Sequence, residues 1–86
     1  MRELAFTPRF VRQLRRLPTA VRRIAYEKLE LLLQNPGHPS LRVKRMRGNE
    51  NTWEMSVTMN YRITFQMDDE SIMLRRIGTH DVLRKP

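Results

Sequence analysis

The sequence predicts an α+β fold, a helical hairpin packed on one face of a mainly antiparallel sheet, as a single domain over residues 1–86. Three observations carry that reading. Residues 53–83 divide into short alternating or apolar runs joined by tight polar turns, the pattern of consecutive antiparallel strands. Residues 8–34 instead repeat their apolar side chains at helical spacing, with one interruption at Leu17-Pro18-Thr19. One more alternating run stands ahead of the helices. The order is therefore strand, helix, helix, then four strands, a segregated arrangement in which the helices cover one side of the sheet.

Each element has a local cause. Arg2 to Thr7 is short and weakly alternating, with Leu4 and Phe6 on one side, and reads as a strand. Thr7-Pro8 is an N-cap followed by proline at the first helical position, and Phe10, Val11, Leu14 and Leu17 follow at helical spacing. After the break, Val21, Ile24, Ala25, Leu29 and Leu32 form the apolar stripe of a longer helix ending before Asn35-Pro36-Gly37. His38 falls in the irregular loop that follows and reads as a loop residue. Leu41, Val43 and Arg45 alternate with Arg42, Lys44 and Met46, giving an expected second strand whose outer face is basic, and Gly48-Asn49-Glu50-Asn51 turns the chain. Trp53, Met55 and Val57 share the packed face of the next strand. In the strand after it Tyr61, Ile63, Phe65 and Met67 share one face, so Arg62, Thr64 and Gln66 point the other way. The last strand begins after Asp68-Asp69-Glu70 and ends just before His80.

Composition narrows the function. A chain of 86 residues buries roughly 60–65% of its unfolded surface, enough for one modest core. There is no cysteine, no run of roughly 18 apolar residues that would span a membrane and no signal-peptide pattern, so a cytoplasmic protein is expected. Seventeen Lys and Arg against nine Asp and Glu leave a net charge of +8, which predicts attraction to polyanions or to an acidic partner. The excess is lopsided: residues 1–48 hold twelve basic and three acidic side chains, residues 49–86 five and six. Fourteen of the cations are arginine, whose planar fork suits bidentate phosphate contacts. The two histidines have no helical or hairpin pairing, so neither a metal nor a cofactor is expected.

Leu41-Arg42, Gly48, Trp53, Tyr61-Arg62-Ile63 and Ile77-Gly78-Thr79-His80-Asp81, together with the Thr-Pro helix start and the Asn35-Pro36 helix end, resemble the RelE/ParE superfamily of toxins in toxin–antitoxin systems. The resemblance covers nearly the whole chain and implies a RelE-like β-α-α-β-β-β-β fold. For the RelE branch it implies ribosome-dependent, metal-independent cleavage of messenger RNA, and an antitoxin partner with an acidic segment. On that resemblance Arg62 stabilises the crowded phosphate and His80, the side-chain type most often used as a general acid near neutrality, protonates the leaving oxygen. Glu54 stands where many members carry a basic residue. It is a candidate general base or an ion-pair partner of Arg62. The expected contacts to messenger and ribosomal RNA are Arg42, Lys44, Arg45, Arg47, Arg76 and Arg84. Two departures keep other readings open: Glu54 and Ser56 flank Met55 where relatives are basic, and Arg84 stands where an aromatic residue is frequent. A ParE-like inhibitor of DNA gyrase acting by binding, and a non-catalytic member, are the alternatives.

Overall fold

The computed structural model describes residues 2–86, and the architecture is the expected one. Strand β1 (Glu3–Phe6) leads into helices α1 (Pro8–Arg15) and α2 (Thr19–Gln34), followed by β2 (Lys44–Arg45), β3 (Trp53–Ser56), β4 (Arg62–Met67) and β5 (Ser71–Gly78). Short 3-10 turns at Pro39–Leu41 and His80–Leu83 complete it. The five strands lie in the order β1-β5-β4-β3-β2. Only β1 and β5 run parallel; the other pairs are antiparallel.

The core forms where both apolar stripes meet the inner face of the sheet. Phe10 and Leu14 of α1 and Ala25, Leu29 and Leu32 of α2 pack with Met55, Val57, Ile63, Phe65, Ile72, Leu74 and Ile77. The start of α1 is tied directly to the sheet. The Thr7 hydroxyl accepts the Phe10 N–H at 3.2 Å and donates to the Leu74 carbonyl at 2.8 Å, so one side chain caps the helix and fixes it on β5. Beyond Phe6 the pairing of β1 with β5 ends, and Gln13 Oε1 of α1 accepts the Ile77 N–H at 3.0 Å in place of a strand.

Three local features differ from the sequence reading. Leu41 is not in a strand: it is fully buried in the 3-10 turn, Arg42 turns the chain in a left-handed conformation, and only Lys44 and Arg45 pair with β3. Burial of Leu41 wins over its alternation with Arg42. The register of β4 with β5 slips between Thr64 and Phe65, which face Arg76 and Leu74, so Arg75 is an extra residue. The slip lets Ile72, Leu74 and Ile77 all face the core although their spacing is two and then three. Finally, Trp53 is half-buried at the core's margin and donates from Nε1 to Asn51 Oδ1 at 3.2 Å. The β4–β5 turn is held by Asp68, whose Oδ1 accepts the backbone N–H groups of Glu70 and Ser71, each at 2.8 Å. Those two donors hold its carboxyl below the ordinary value of 3.8.

The outer face is covered in part by the chain itself. After β5 the segment from Thr79 folds back over β4 and β5, with Val82 buried. The Thr64 hydroxyl, fully buried on the outer face, donates to a Pro86 oxygen at 3.2 Å. Arg75 Nε reaches the same oxygen at 3.1 Å, and Arg76 Nη1 donates to the Lys85 carbonyl at 2.7 Å. This fold-back needs a glycine at position 78, where an added Cβ would stand 2.8 Å from Val82 Cγ1. Gly78→Ala is therefore expected to lower stability by roughly 1–3 kcal/mol, an overpacking effect. Urea unfolding checks this, and Val82→Ala in the same chain should recover most of the loss. A Gly78→Ala protein as stable as the wild type would contradict the close approach.

Candidate nucleic-acid interface

The polar side chains of the outer face stand in rows set by strand register. Lys44, Glu54, Thr64 and Arg76 oppose one another across β2, β3, β4 and β5. The next row, about 7 Å along the strands, is Ser56, Arg62 and Gly78. Arg62 thus begins β4 at the end of the sheet where the β3–β4 connection lies. One guanidinium nitrogen, Nη1, donates to the carbonyls of Thr58 at 2.8 Å, Met59 at 3.0 Å and Tyr61 at 3.1 Å.

Those carbonyls are partners that the sequence did not point to, and they bear on the ion pair expected between Arg62 and Glu54. Glu54 is not its ion-pair partner. The carboxylate pairs with Lys44 Nζ at 4.0 Å, the one ion pair among the described residues, and 70% of the Lys44 side chain is exposed. Such a pair contributes at most about 1 kcal/mol. Charge-assisted bonds to a carbonyl are worth about 1.5–3 kcal/mol in favourable cases, so the turn, not Glu54, orients the guanidinium. Strand alternation had placed the two on one face, and it does; the diagonal step between their rows and the nearer carbonyls keep them apart.

Arg62 opens onto a cleft of about 270 Å³ lined by Ser40, Arg42, Ser56, Val57, Thr58, Met59 and Arg62. The lining residues include two arginines and three hydroxyl-bearing residues and no Asp or Glu, a composition that favours an anion. His80 is not among the lining side chains. It starts the last 3-10 turn, exposed, two residues beyond Gly78, which pairs with Arg62; its Cα lies within roughly 13 Å of that of Arg62. The expectation of one pocket shared by Arg62 and His80 is met only to that extent: the strand ends at Gly78, and His80 opens the turn that folds back over β4 and β5.

The remaining candidates are dispersed. Arg45 and Arg47 line a shallow, open depression of about 590 Å³ formed by the β2–β3 connection. Arg76 is occupied by the returning segment, with its Nε buried and unpartnered. Arg84 caps the last turn and is exposed. The sequence reading missed Ser40 and set His38 aside. His38 Nδ1 accepts the Ser40 N–H at 3.1 Å and lies 2.9 Å from Ser40 Oγ, which Lys28 Nζ of α2 approaches at 3.4 Å. The signal available was His-Pro-Ser, a capping residue followed by proline and a small polar residue. Among the described residues no three His, Asp or Glu side chains gather as metal ligands would, and no helix is long and apolar enough to cross a membrane.

A family model described as the ParE toxin of type II toxin-antitoxin systems, parDE, matches residues 4–83. The chain belongs to the RelE/ParE superfamily of type II toxins. Solved members share its fold. RelE in the RelB–RelE antitoxin–toxin complex of Methanococcus jannaschii is 21% identical with a TM-score of 0.76, over 93% of this chain and 94% of that one. E. coli YafQ is 14% identical with a TM-score of 0.78, over 96% and 98%. Isolated E. coli RelE is 23% identical with a TM-score of 0.73, over 92% and 84%. Among curated proteins none matches this chain. Within this superfamily fold, the geometry of Glu54 and Arg62 makes a quantitative prediction. A double-mutant cycle of Glu54→Ala and Arg62→Ala should give a coupling within about 0.5 kcal/mol of zero in unfolding experiments. A coupling well above 1 kcal/mol would show that the two side chains pair after all.

Proposed function

We propose that this superfamily toxin is a metal-independent endoribonuclease that cleaves messenger RNA on the ribosome and so represses translation. The observation that carries the reading is the carboxylate-free cleft in which Arg62 stands fixed by three carbonyls beside Arg42 and the hydroxyls of Ser40 and Ser56. A guanidinium already held in place loses little freedom when charge develops on a phosphate oxygen next to it, which is what electrostatic stabilisation of a transition state requires.

In the proposed reaction the 2′-hydroxyl of the RNA attacks the adjacent phosphorus, the bond from phosphorus to the 5′-oxygen breaks, and a cyclic phosphate and a 5′-hydroxyl result. Arg62 bears against the non-bridging oxygens as negative charge gathers there. Glu54, whose oxygens are engaged only by an exposed lysine, accepts the proton of the attacking hydroxyl. His80 donates a proton to the leaving 5′-oxygen. Lys44, Arg45, Arg47 and Arg84 contribute contacts to messenger and ribosomal RNA, while Arg76 is held by the returning segment. The arginine-rich front half meets an acidic, partly disordered segment of the cognate antitoxin, for which opposite charge speeds encounter and apolar burial supplies affinity.

A second reading, binding to and inhibition of DNA gyrase, is favoured by one observation: the matching family model is that of ParE toxins. Expression of the chain alone, with primer extension on messenger RNA beside a gyrase supercoiling assay, separates the two. The nuclease reading expects growth arrest with new 5′ ends in translated messages, and a fall in cleavage rate of ~10² or more in Arg62→Ala and in His80→Ala. Arrest with intact messages and blocked supercoiling would select the gyrase reading. Folded protein that arrests nothing would leave a non-catalytic member.

A further inference from the structure

Three residues of the described chain have a left-handed backbone: Gly48 at φ 77°, Asn51 at φ 47° and Arg42 at φ 50°. Glycine and asparagine tolerate that region; a long side chain with a Cβ does so under strain. Arg42 is therefore the position where local preference and residue type disagree. The backbone around it is firmly determined. Leu41 is fully buried, the Arg42 N–H returns to the Pro39 carbonyl at 3.2 Å, and the turn before it is held by the His38–Ser40 contacts and by Lys28. The turn would keep its shape with glycine at position 42. What the arginine adds is its side chain, which is exposed and forms no hydrogen bond or ion pair among the described residues; Arg42 lines the same cleft as Arg62.

We propose that Arg42 and Arg62 close from two sides on a single phosphodiester group of the RNA strand, and that the strained backbone at Arg42 is retained for this contact. The identity of the anion rests on the nuclease reading above. The clamp is asymmetric. Arg62 is anchored through Nη1 to the β3–β4 turn and presents a fixed edge, whereas Arg42 is a free arm that folds onto the phosphate once it is bound. Ser40 and Ser56, which also line the cleft, supply hydroxyls to the same group. Two guanidinium forks on one phosphate select a phosphodiester by geometry as well as by charge, which a lysine in place of Arg42 would do only in part.

Arg42→Gly is the decisive variant, because strain and contact pull it in opposite directions. Binding is read with a short RNA whose riboses are all 2′-O-methylated, so that it cannot be cut, and stability by thermal unfolding of the same samples. The clamp predicts that Arg42→Gly binds the probe at least ~10-fold more weakly while its melting temperature stays level or rises by a few degrees, with Arg42→Lys falling between it and the wild type in affinity. Unchanged affinity in Arg42→Gly, or a melting temperature that drops, would overturn the proposal. Wild-type protein that binds the probe through Arg42 yet cuts no message would instead remove the nuclease reading and leave the clamp. Cleavage that depends on Arg62 but not on Arg42 would do the reverse.

Discussion

Strand β4 is buried on both faces at one place, and the rest of the molecule is arranged to satisfy that. Ile63, Thr64 and Phe65 are consecutive and each is fully buried, although alternate side chains of a strand point to opposite sides. The helical hairpin covers Ile63 and Phe65 with an apolar layer. The cover over Thr64 is a single returning segment, and because a hydroxyl buried there needs a partner, it ends on an oxygen of Pro86. The extra residue at Arg75 keeps Ile77 in the core while Arg76 stays on the outer side to bond the same segment. Gly78 lets Val82 come close enough for the fold-back to sit flat. These features belong together: each closes the outer face over the middle of β4.

The closure is incomplete at the end of β4 where Arg62 stands, and the open part is where the cationic cleft lies. Arg62 is suited to that boundary because its guanidinium is tied to a turn, so the group is positioned without being neutralised. Glu54, one row away, is drawn toward Lys44 instead. The outer face is thus divided into a sealed half that supplies stability and an open half with uncompensated charge. Binding of an anion in the open half draws on the +8 of the whole chain as well as on the lining residues.

Much of this was legible in the residues. Thr7-Pro8, the two apolar stripes and the break at Pro18 specify both helices because capping and periodicity are local. The β3–β4 and β4–β5 hairpins follow from alternation and from turn residues such as Asp68, for the same reason. The second strand is shorter than the alternation of Leu41 and Val43 predicts, because burial of Leu41 in a 3-10 turn is a tertiary effect that alternation cannot report. The register slip was in the sequence as the uneven spacing of Ile72, Leu74 and Ile77. Of the candidate site, Arg62 on the outer face followed from alternation and Arg42 from charge. Their meeting in one cleft depends on where the Pro39–Leu41 turn sits against β3, and Arg62's attachment to carbonyls leaves no mark in side-chain identities. His80 lies past the last strand, as its position after Gly78 predicts, but no side-chain pattern shows how the following turn orients it.

On the proposed function, the cleft lined by Arg42 and Arg62, and not the arginines of the helical surface, receives the phosphate of the RNA. Side-chain Nε–H resonances of the arginines, followed by NMR during titration with a cleavage-resistant single-stranded RNA, test it directly. Arg42 and Arg62 should shift first and most, and saturate together. Early shifts in Arg12, Arg16 and Arg23, which are exposed on and beside the two helices, with Arg42 and Arg62 unmoved would contradict it.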